Sequence, residues 1–431
     1  MPAPVKKICL LLVLLGCCLT VFSVDSFANE ENDYKKIELF TDVLSLIRSS
    51  YVEDVDMDRL IYGAIRGMLG TLDPHSSFLS PEMYRDMQEE THGEFSGLGI
   101  EIAVKNGSLI VVSPIEDTPA FLAGVKAGDE IVKINGLLTR DLDIVEATRM
   151  MRGPAGEEIT ISVKRANADQ LIDFTIVRDI IRVQSVKSEL LRDKYGYVRI
   201  SQFQDRTSSD LKVHLKELHQ QAETLNGVIL DLRNNPGGLL DQAIGVADLF
   251  LDEGLIVYTE GRDVESQSRF SAQAEGTEPA YPLVVLIDGG SASAAEIVAG
   301  ALQDHDRAIV LGEQSFGKGS VQTIVPLGDD SGLRLTTARY FTPSGRSIQA
   351  LGIHPDIIVP ARVIAPAADK RERLRERDLE NHFKSVNEKK NSDKDSASKM
   401  SNDAVNGDNQ LQRALDLLKG LKILQRQQQA A

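Results

Sequence analysis

A chain of 431 residues is long enough for two or three domains, each with its own core. Apolar residues at 42% and charged residues at 26% describe an ordinary globular protein and exclude a chain that is disordered or membrane-embedded throughout. With 48 Lys+Arg against 64 Asp+Glu and a net charge of −16, nucleic acid is excluded as the main partner, because phosphate binding needs clustered cations.

The N-terminus departs from this average. Lys6 and Lys7 precede an apolar run over 8–22, and Ser26-Phe27-Ala28 places small residues at both recognition positions of a cleavage site. This layout predicts a secretory signal peptide over 1–28, with Asn29 as the mature start and a periplasmic or otherwise extracytoplasmic location. Two alternatives stay open. The run is retained as an anchor, although it is short for a full span, or Leu14-Leu15-Gly16-Cys17 serves as a lipoprotein acylation box, against which the apolar residues beyond Cys17 speak. Either would leave the protein membrane-associated. Cys9, Cys17 and Cys18 all lie in this segment, so a processed chain has no disulfide, cysteine nucleophile or thiolate metal site. No HExxH or comparable ligand spacing occurs, and neither a metal nor another cofactor is indicated.

From 33 to 90 the pattern is helical. Met57, Leu60, Ile61, Ala64, Ile65, Met68 and Leu69 recur at three and four and stack on one face, with Gly70 as the stop. Leu72-Asp73-Pro74-His75 reads as a turn, and Ser80-Pro81-Glu82 supplies an N-cap, a first-turn proline and an acid for the next helix. From 93 to 181 the pattern changes to short strands and glycine turns: 100–104, 109–112, 130–134 and 159–163, with a short helix over 144–151. From 187 to about 360 it is α/β, with apolar runs 228–232 and 283–287 of the kind found in buried parallel strands. Each run leads through a glycine turn into a helix, over 240–251 and 294–302. Beyond 362, residues 369–408 carry dense charge of both signs, and Leu411, Ala414, Leu415, Leu418 and Leu421 give a last amphipathic helix weakened by Gly420. That helix either packs on its own domain or makes a homodimer contact.

Three elements carry chemistry. The strand at 283–287 runs into Gly289-Gly290-Ser291-Ala292-Ser293-Ala294-Ala295-Glu296, a sharp turn that exposes a serine at a positive helix end and aims the Ala294 N–H at an oxyanion. Gly317-Lys318-Gly319-Ser320-Val321-Gln322 frames a lysine with glycines; on a strand Lys318, Ser320 and Gln322 share a face. A lysine is a base only when neutral, so burial must lower its usual pKa of about 10.4 by roughly 3 units, and a glutamine orients the amine without favouring ammonium. At Asp231-Leu232-Arg233-Asn234-Asn235-Pro236-Gly237-Gly238 a proline removes one donor and two glycines open the backbone, so N–H groups can face a carbonyl oxygen. Taken singly, each has a plainer reading: a capped helix start, a surface lysine in a hairpin, a strand-to-helix turn. His305 is the one histidine near the glycine-serine turn in sequence, but it falls beyond the predicted helix, which disfavours a Ser-His-Asp triad. In the β-rich stretch, Gly97, Leu98, Gly99 and Ile100 form a glycine-spaced loop opening a strand, suited to a terminal carboxylate and an extended peptide.

Together these residues resemble the carboxyl-terminal processing peptidases, or tail-specific proteases. The resemblance runs through LDPHSSFLSPE (72–82), FSGLGIEI (95–102), AGDEIVKING (127–136), RGPAGEEI (152–159), DLRNNPGGLL (231–240), GGSASAAEIVAGALQD (289–304) and SFGKGSVQ (315–322). It implies a ClpP/crotonase-like α/β catalytic core with an inserted PDZ domain and helical N- and C-terminal segments. The implied division is an N-terminal helical segment over 29–92, PDZ over 93–181, a catalytic core over 182–362, and a charged linker with an amphipathic helix over 363–431. Carried over by residue, it implies Ser293 as nucleophile, Lys318 as general base 25 residues on (318 − 293), Gln322 orienting the lysine, and oxyanion donors from Ala294 and either Gly237 or Gly238. Arg152 matches an arginine that links PDZ position to the active site. Ala295 departs from the serine that relatives often carry, outside the dyad. The implied partners are protein or peptide substrates with free C-termini, an activating protein, and a second copy joined through terminal helices.

Overall fold

The computed structural model describes residues 34–362 and 407–430, apart from residues 106, 143, 167, 169, 193, 223 and 264–266. The predicted export signal and most of the charged linker lie outside the described residues. The chain divides into two compact units, Met1–Leu79 with Leu333–Leu335, and Ser80–Gly332 with Thr336–Ala431.

In the first unit, residues 34–50 and Met57–Leu69 are helical. The second helix begins where Asp56 accepts the Asp58 N–H and ends at Gly70, as its periodicity predicts. The turn that follows is closed by Asp73, whose Oδ1 takes the N–H groups of His75 and Ser76 at 2.8 and 2.9 Å.

The second unit opens with helix Pro81–His92, N-capped by Ser80 and stopped by Gly93 in the left-handed conformation. An antiparallel sheet follows, in the order Ile100–Lys105, Ser108–Pro114, Glu130–Ile134, Glu158–Lys164, Ile172–Val177. Leu98, Val111, Ile131, Ile134, Ala147, Ile159, Ile161 and Val163 form its core, and helix Ile144–Met151 closes it. Strands Glu94–Gly97 and Asp179–Arg182 pair at the ends of this stretch.

The remainder is built on a six-stranded sheet in the order Val186–Leu191, Tyr195–Ile200, Gly227–Asp231, Leu283–Ile287, Ile309–Gly312, Ile357–Ile358. All its pairings but the first are parallel. Its two faces explain the unbroken apolar runs. Val228, Leu230, Leu283, Val285, Ile287 and Val310 face the core that holds helices Thr207–Gln221, Leu240–Asp248 and Ala294–Asp304. Ile229, Val284, Leu286 and Leu311 face the opposite way. That second face is covered by helix Asn409–Ala430, which buries Leu411, Ala414, Leu415 and Leu418 on it; each such leucine contributes about 1.5–3 kcal/mol. The helix runs through Gly420 without a break. The apolar face from Leu411 to Leu418 is therefore packed within its own chain, the intramolecular one of the two readings. A second sheet, with Gly332–Phe341 between Ser320–Pro326 and Leu255–Gly261, stands beside the core.

Candidate active site

The central strand Leu283–Ile287 ends at Asp288, whose side chain organises the turn after it. Its Oδ1 accepts N–H groups from Gly290 at 2.9 Å and, from the neighbouring strand end, Asn234 at 2.8 Å. Ser291 is also a structural pin: its Oγ donates to the Leu232 carbonyl at 2.7 Å and accepts the Asp288 N–H at 3.0 Å. The Ala292 N–H then reaches the Asn235 carbonyl at 2.9 Å. The two strand-end turns are thus stitched side by side, which brings Ser293 next to Gly237. A Cβ on Gly237, already at φ +101°, would lie 2.8 Å from the Ser293 Cβ and 3.0 Å from the Ala294 nitrogen. No side chain fits there.

Ser293 sits at φ 55°, ψ −113°, a conformation that costs a non-glycine residue about 1–3 kcal/mol. The cost is offset by Glu296, one turn into the helix, whose Oε2 accepts the Ser293 N–H at 2.7 Å. Glu296 is fully buried. Its remaining hydrogen bonds come from the lysine loop: Ser315 Oγ at 2.5 Å and Gly317 N–H at 2.7 Å to Oε1, and Lys318 N–H at 2.9 Å to Oε2. One carboxylate therefore holds the backbones of Ser293 and Lys318 together. The Phe316 N–H adds a further tie to the Ser291 carbonyl at 3.0 Å. Such a buried acceptor, met by four donors, satisfies the pairing that burial demands.

Lys318 is half-buried and lies in the loop before strand Ser320–Pro326, not on it. Gln322, on that strand, points its amide nitrogen at Ser320 Oγ (3.1 Å) and Thr336 Oγ1 (3.3 Å). Tyr340 completes the enclosure. Its N–H donates to the Gly319 carbonyl at 2.7 Å, and burial pushes its phenol up to about 12 against the opposing pull of a hydrogen bond with the Ser293 hydroxyl.

The two glycines proposed as alternative oxyanion donors are not equivalent. The Gly237 N–H is held by Asn235 Oδ1 at 2.9 Å, so that donor is already paired. Gly238 is exposed and its N–H has no acceptor among the described residues. The Ala294 N–H, at the first position of its helix, is likewise uncommitted there. His305 lies at the far end of helix Ala294–Asp304, with Nε2 2.7 Å from the Leu255 carbonyl, which removes it from any triad.

A second polar cluster underlies the same turn. Asp231 is fully buried and chelates Arg233 (2.6 Å to Nη2), which also pairs with Asp408 at 2.7 Å and donates from Nη1 to Gln410 Oε1 at 2.9 Å. Burial alone would lower the Arg233 pKa, but its bonds to Asp231 and Asp408 outweigh it and raise it. Burial alone would raise the Asp408 carboxyl; hydrogen bonds from Arg233 and the Leu411 N–H hold it below its ordinary value.

The Gly97–Ile100 loop is braced from below. Leu98 is buried, and Gly99 at φ +76° leaves a Cβ only 2.3 Å from the Thr118 Cβ. Its carbonyl accepts the Ile115 N–H at 2.8 Å and the Thr118 hydroxyl at 3.2 Å. Gly97 ends the preceding strand, and Ile100 starts the sheet's edge strand. Arg152 reaches helix Pro81–His92, 3.3 Å from Asp86 and 3.5 Å from Glu89, with its guanidinium 5.4 Å from the Phe95 ring centroid.

Sequence reasoning missed Asp288, Asn235, Tyr340 and, above all, Glu296. The Ser293-x-x-Glu296 spacing of a capping box was the available signal for the last.

The model of peptidase family S41 matches residues 194–359, a PDZ domain model matches 110–165, and a model of the N-terminal domain of the activating protease CtpB matches 21–83. The chain is 50% identical over 372 residues to a carboxy-terminal-processing protease of Bartonella bacilliformis, covering 86% of this chain and 85% of that one. It is 39% identical over 328 residues to a carboxyl-terminal-processing protease of Synechocystis, covering 74% and 76%. Among solved structures, a photosystem II D1 C-terminal processing protease is 32% identical, with a TM-score of 0.45, covering 73% of this chain and 86% of that one.

Proposed function

Since the chain belongs to the carboxy-terminal processing proteases of peptidase family S41, serine-type hydrolases here carrying a PDZ domain, we propose that Ser293 and Lys318 form its catalytic dyad. In this reading neutral Lys318 takes the proton from Ser293 Oγ as the oxygen attacks a substrate carbonyl. The oxyanion forms against the N–H groups of Ala294 and Gly238. The lysine returns its proton to the leaving amine, and water, deprotonated by the same lysine, hydrolyses the acyl-enzyme. Gln322 steers the lysine from the adjoining strand.

The observation that carries the reading is the Glu296 carboxylate, which joins the Ser293 and Lys318 backbones through bonds of 2.7 and 2.9 Å. A surface lysine in an unrelated hairpin has no need of such a link. Purified wild-type protein is expected to cleave an unfolded protein substrate near its C-terminus, whereas Ser293→Ala and Lys318→Ala do not. Full cleavage by Lys318→Ala would remove the lysine from the mechanism.

The remaining assignments follow from the same premise. The Gly97–Ile100 loop and the open edge of strand Ile100–Lys105 would seat the substrate's free C-terminus by strand addition. Arg152 would report the position of this module to the rest of the enzyme, with an activating protein as a second input. The catalytic part is of the ClpP/crotonase-like class, and the division 29–92, 93–181, 182–362 and 363–431 follows it. Read as an export signal, the N-terminal apolar run would put the enzyme outside the cytoplasm; N-terminal sequencing of the mature protein should start at Asn29, and an intact Met1 would refute cleavage.

A further inference from the structure

The turn beside Ser293 has two adjacent glycines, and a side chain that neither forms nor breaks a bond decides which of them can serve the reaction. Asn235 is fully buried, and both ends of its amide are committed. Nδ2 donates to the Ile200 carbonyl at 2.8 Å, and Oδ1 accepts the Gly237 N–H at 2.9 Å. Its own carbonyl accepts the Ala292 N–H at 2.9 Å, one residue before the candidate nucleophile. Asn235 therefore spans three segments: the strand ending at Ile200, the glycine turn and the serine turn.

The backbone ladder sets the direction of the next donor. Phe203 donates to the Gly237 carbonyl and accepts the Leu239 N–H, both at 2.9 Å, so it bridges Gly238 in parallel fashion. In such a bridge the N–H and C=O of the bridged residue point away from the partner strand. The Gly238 N–H accordingly faces away from Phe203, on an exposed residue, while buried Gly237 keeps its N–H turned inward to Asn235.

We propose that Asn235 is a positioning residue for the oxyanion hole: by holding the Gly237 N–H it fixes the turn in the one register where the Gly238 N–H, with that of Ala294, receives the tetrahedral oxyanion. The inference rests on Ser293 being the nucleophile. Asn235 acts on a charge that appears only after attack, so its loss is felt in turnover and not in substrate binding.

The test uses the full-length protein and a peptide boronic acid, which forms a tetrahedral adduct on an active-site serine. Asn235→Ala is expected to lower kcat about 100-fold and weaken the boronate by a similar factor, with KM and the affinity of a C-terminal peptide for the PDZ module within twofold of wild type. Boronate affinity equal to wild type, or a loss shared equally by KM, would overturn the role. Should that variant fail to fold, the wild-type protein answers the question. The sequence has one Pro-Gly pair, 236–237, and two Gly-Gly pairs, 237–238 and 289–290, so paired carbonyl-13C and amide-15N labelling isolates the relevant amides. On adduct formation one Gly-Gly amide should shift downfield while the Pro-Gly amide stays in place; a shifted Pro-Gly amide with both Gly-Gly amides unmoved would reverse the assignment. Failure of the wild-type protein to form any adduct at Ser293 would instead overturn the nucleophile on which the inference stands.

Discussion

The Ser293 junction and the Arg152 contact with helix Pro81–His92 are both built from hydrogen-bonded charge, yet they are opposite in kind. At the junction a carboxylate with no solvent exposure is met by four donors at 2.5–2.9 Å, and strained serine geometry is held in place by it. At Arg152 the guanidinium is 41% exposed and its two partners stand at 3.3 and 3.5 Å. Buried networks are expensive to break, whereas exposed pairs of this kind are worth about 0.2–1 kcal/mol and fade with salt. The geometry around Ser293 is thus locked by the fold, whereas the Arg152 contact with helix Pro81–His92 is the softer of the two and, on the proposed reading, the one a ligand or partner would reset.

Mutations at the two places should separate by orders of magnitude. Ser293→Ala removes the attacking oxygen, and hydrolysis of an unfolded substrate should fall at least ~1,000-fold with an unchanged melting temperature; residual turnover within tenfold of wild type would refute the nucleophile. Glu296→Gln keeps one acceptor oxygen but turns an N–H2 toward existing donors, leaving at least one buried N–H unpaired at about 1–3 kcal/mol. Its kcat should drop about 10- to 100-fold with KM within twofold, and wild-type kcat would show that the carboxylate is dispensable.

The cluster beneath the turn is intermediate. Because the folded-state carboxyl of Asp408 is held low, its stabilisation is present above the unfolded pKa of about 3.9 and is lost as pH falls through the folded value. Asp408→Asn should therefore lower stability at pH 7 by about 1–2 kcal/mol, and the difference from wild type should shrink as pH falls below the unfolded value and through the depressed folded one. A constant gap across that range, read by denaturant unfolding, would assign the loss to packing instead. Arg152→Ala is the smallest change: activity should shift by no more than about fivefold, and the shift should vanish above roughly 0.5 M salt. A larger, salt-resistant effect would mean that the two regions are coupled more rigidly than these distances imply.

Local chemistry made much of the frame legible in advance. Ser80-Pro81 and Gly93 mark both ends of one helix, the apolar run at 283–287 marks the central strand, and the glycine-serine turn marks the site. What was hidden depends on long-range approach. Glu296 gains its role from Ser315, Gly317 and Lys318, 19 to 22 residues away, and no periodicity announces that meeting. The apolar face of the C-terminal helix was readable, but its partner was not, since Ile229, Val284 and Leu286 lie on three-dimensional neighbours far earlier in the chain. Gly237 and Gly238 look alike in sequence; only the orientation of the Asn235 amide tells them apart.

The central claim is that Lys318 activates Ser293. It is tested most directly by the rate at which a fluorophosphonate probe modifies Ser293 in wild-type protein and in Lys318→Met, which fills a similar volume without an amine. The account predicts labelling of wild-type protein at Ser293 and a loss of at least ~1,000-fold in the variant; equal labelling rates would contradict it.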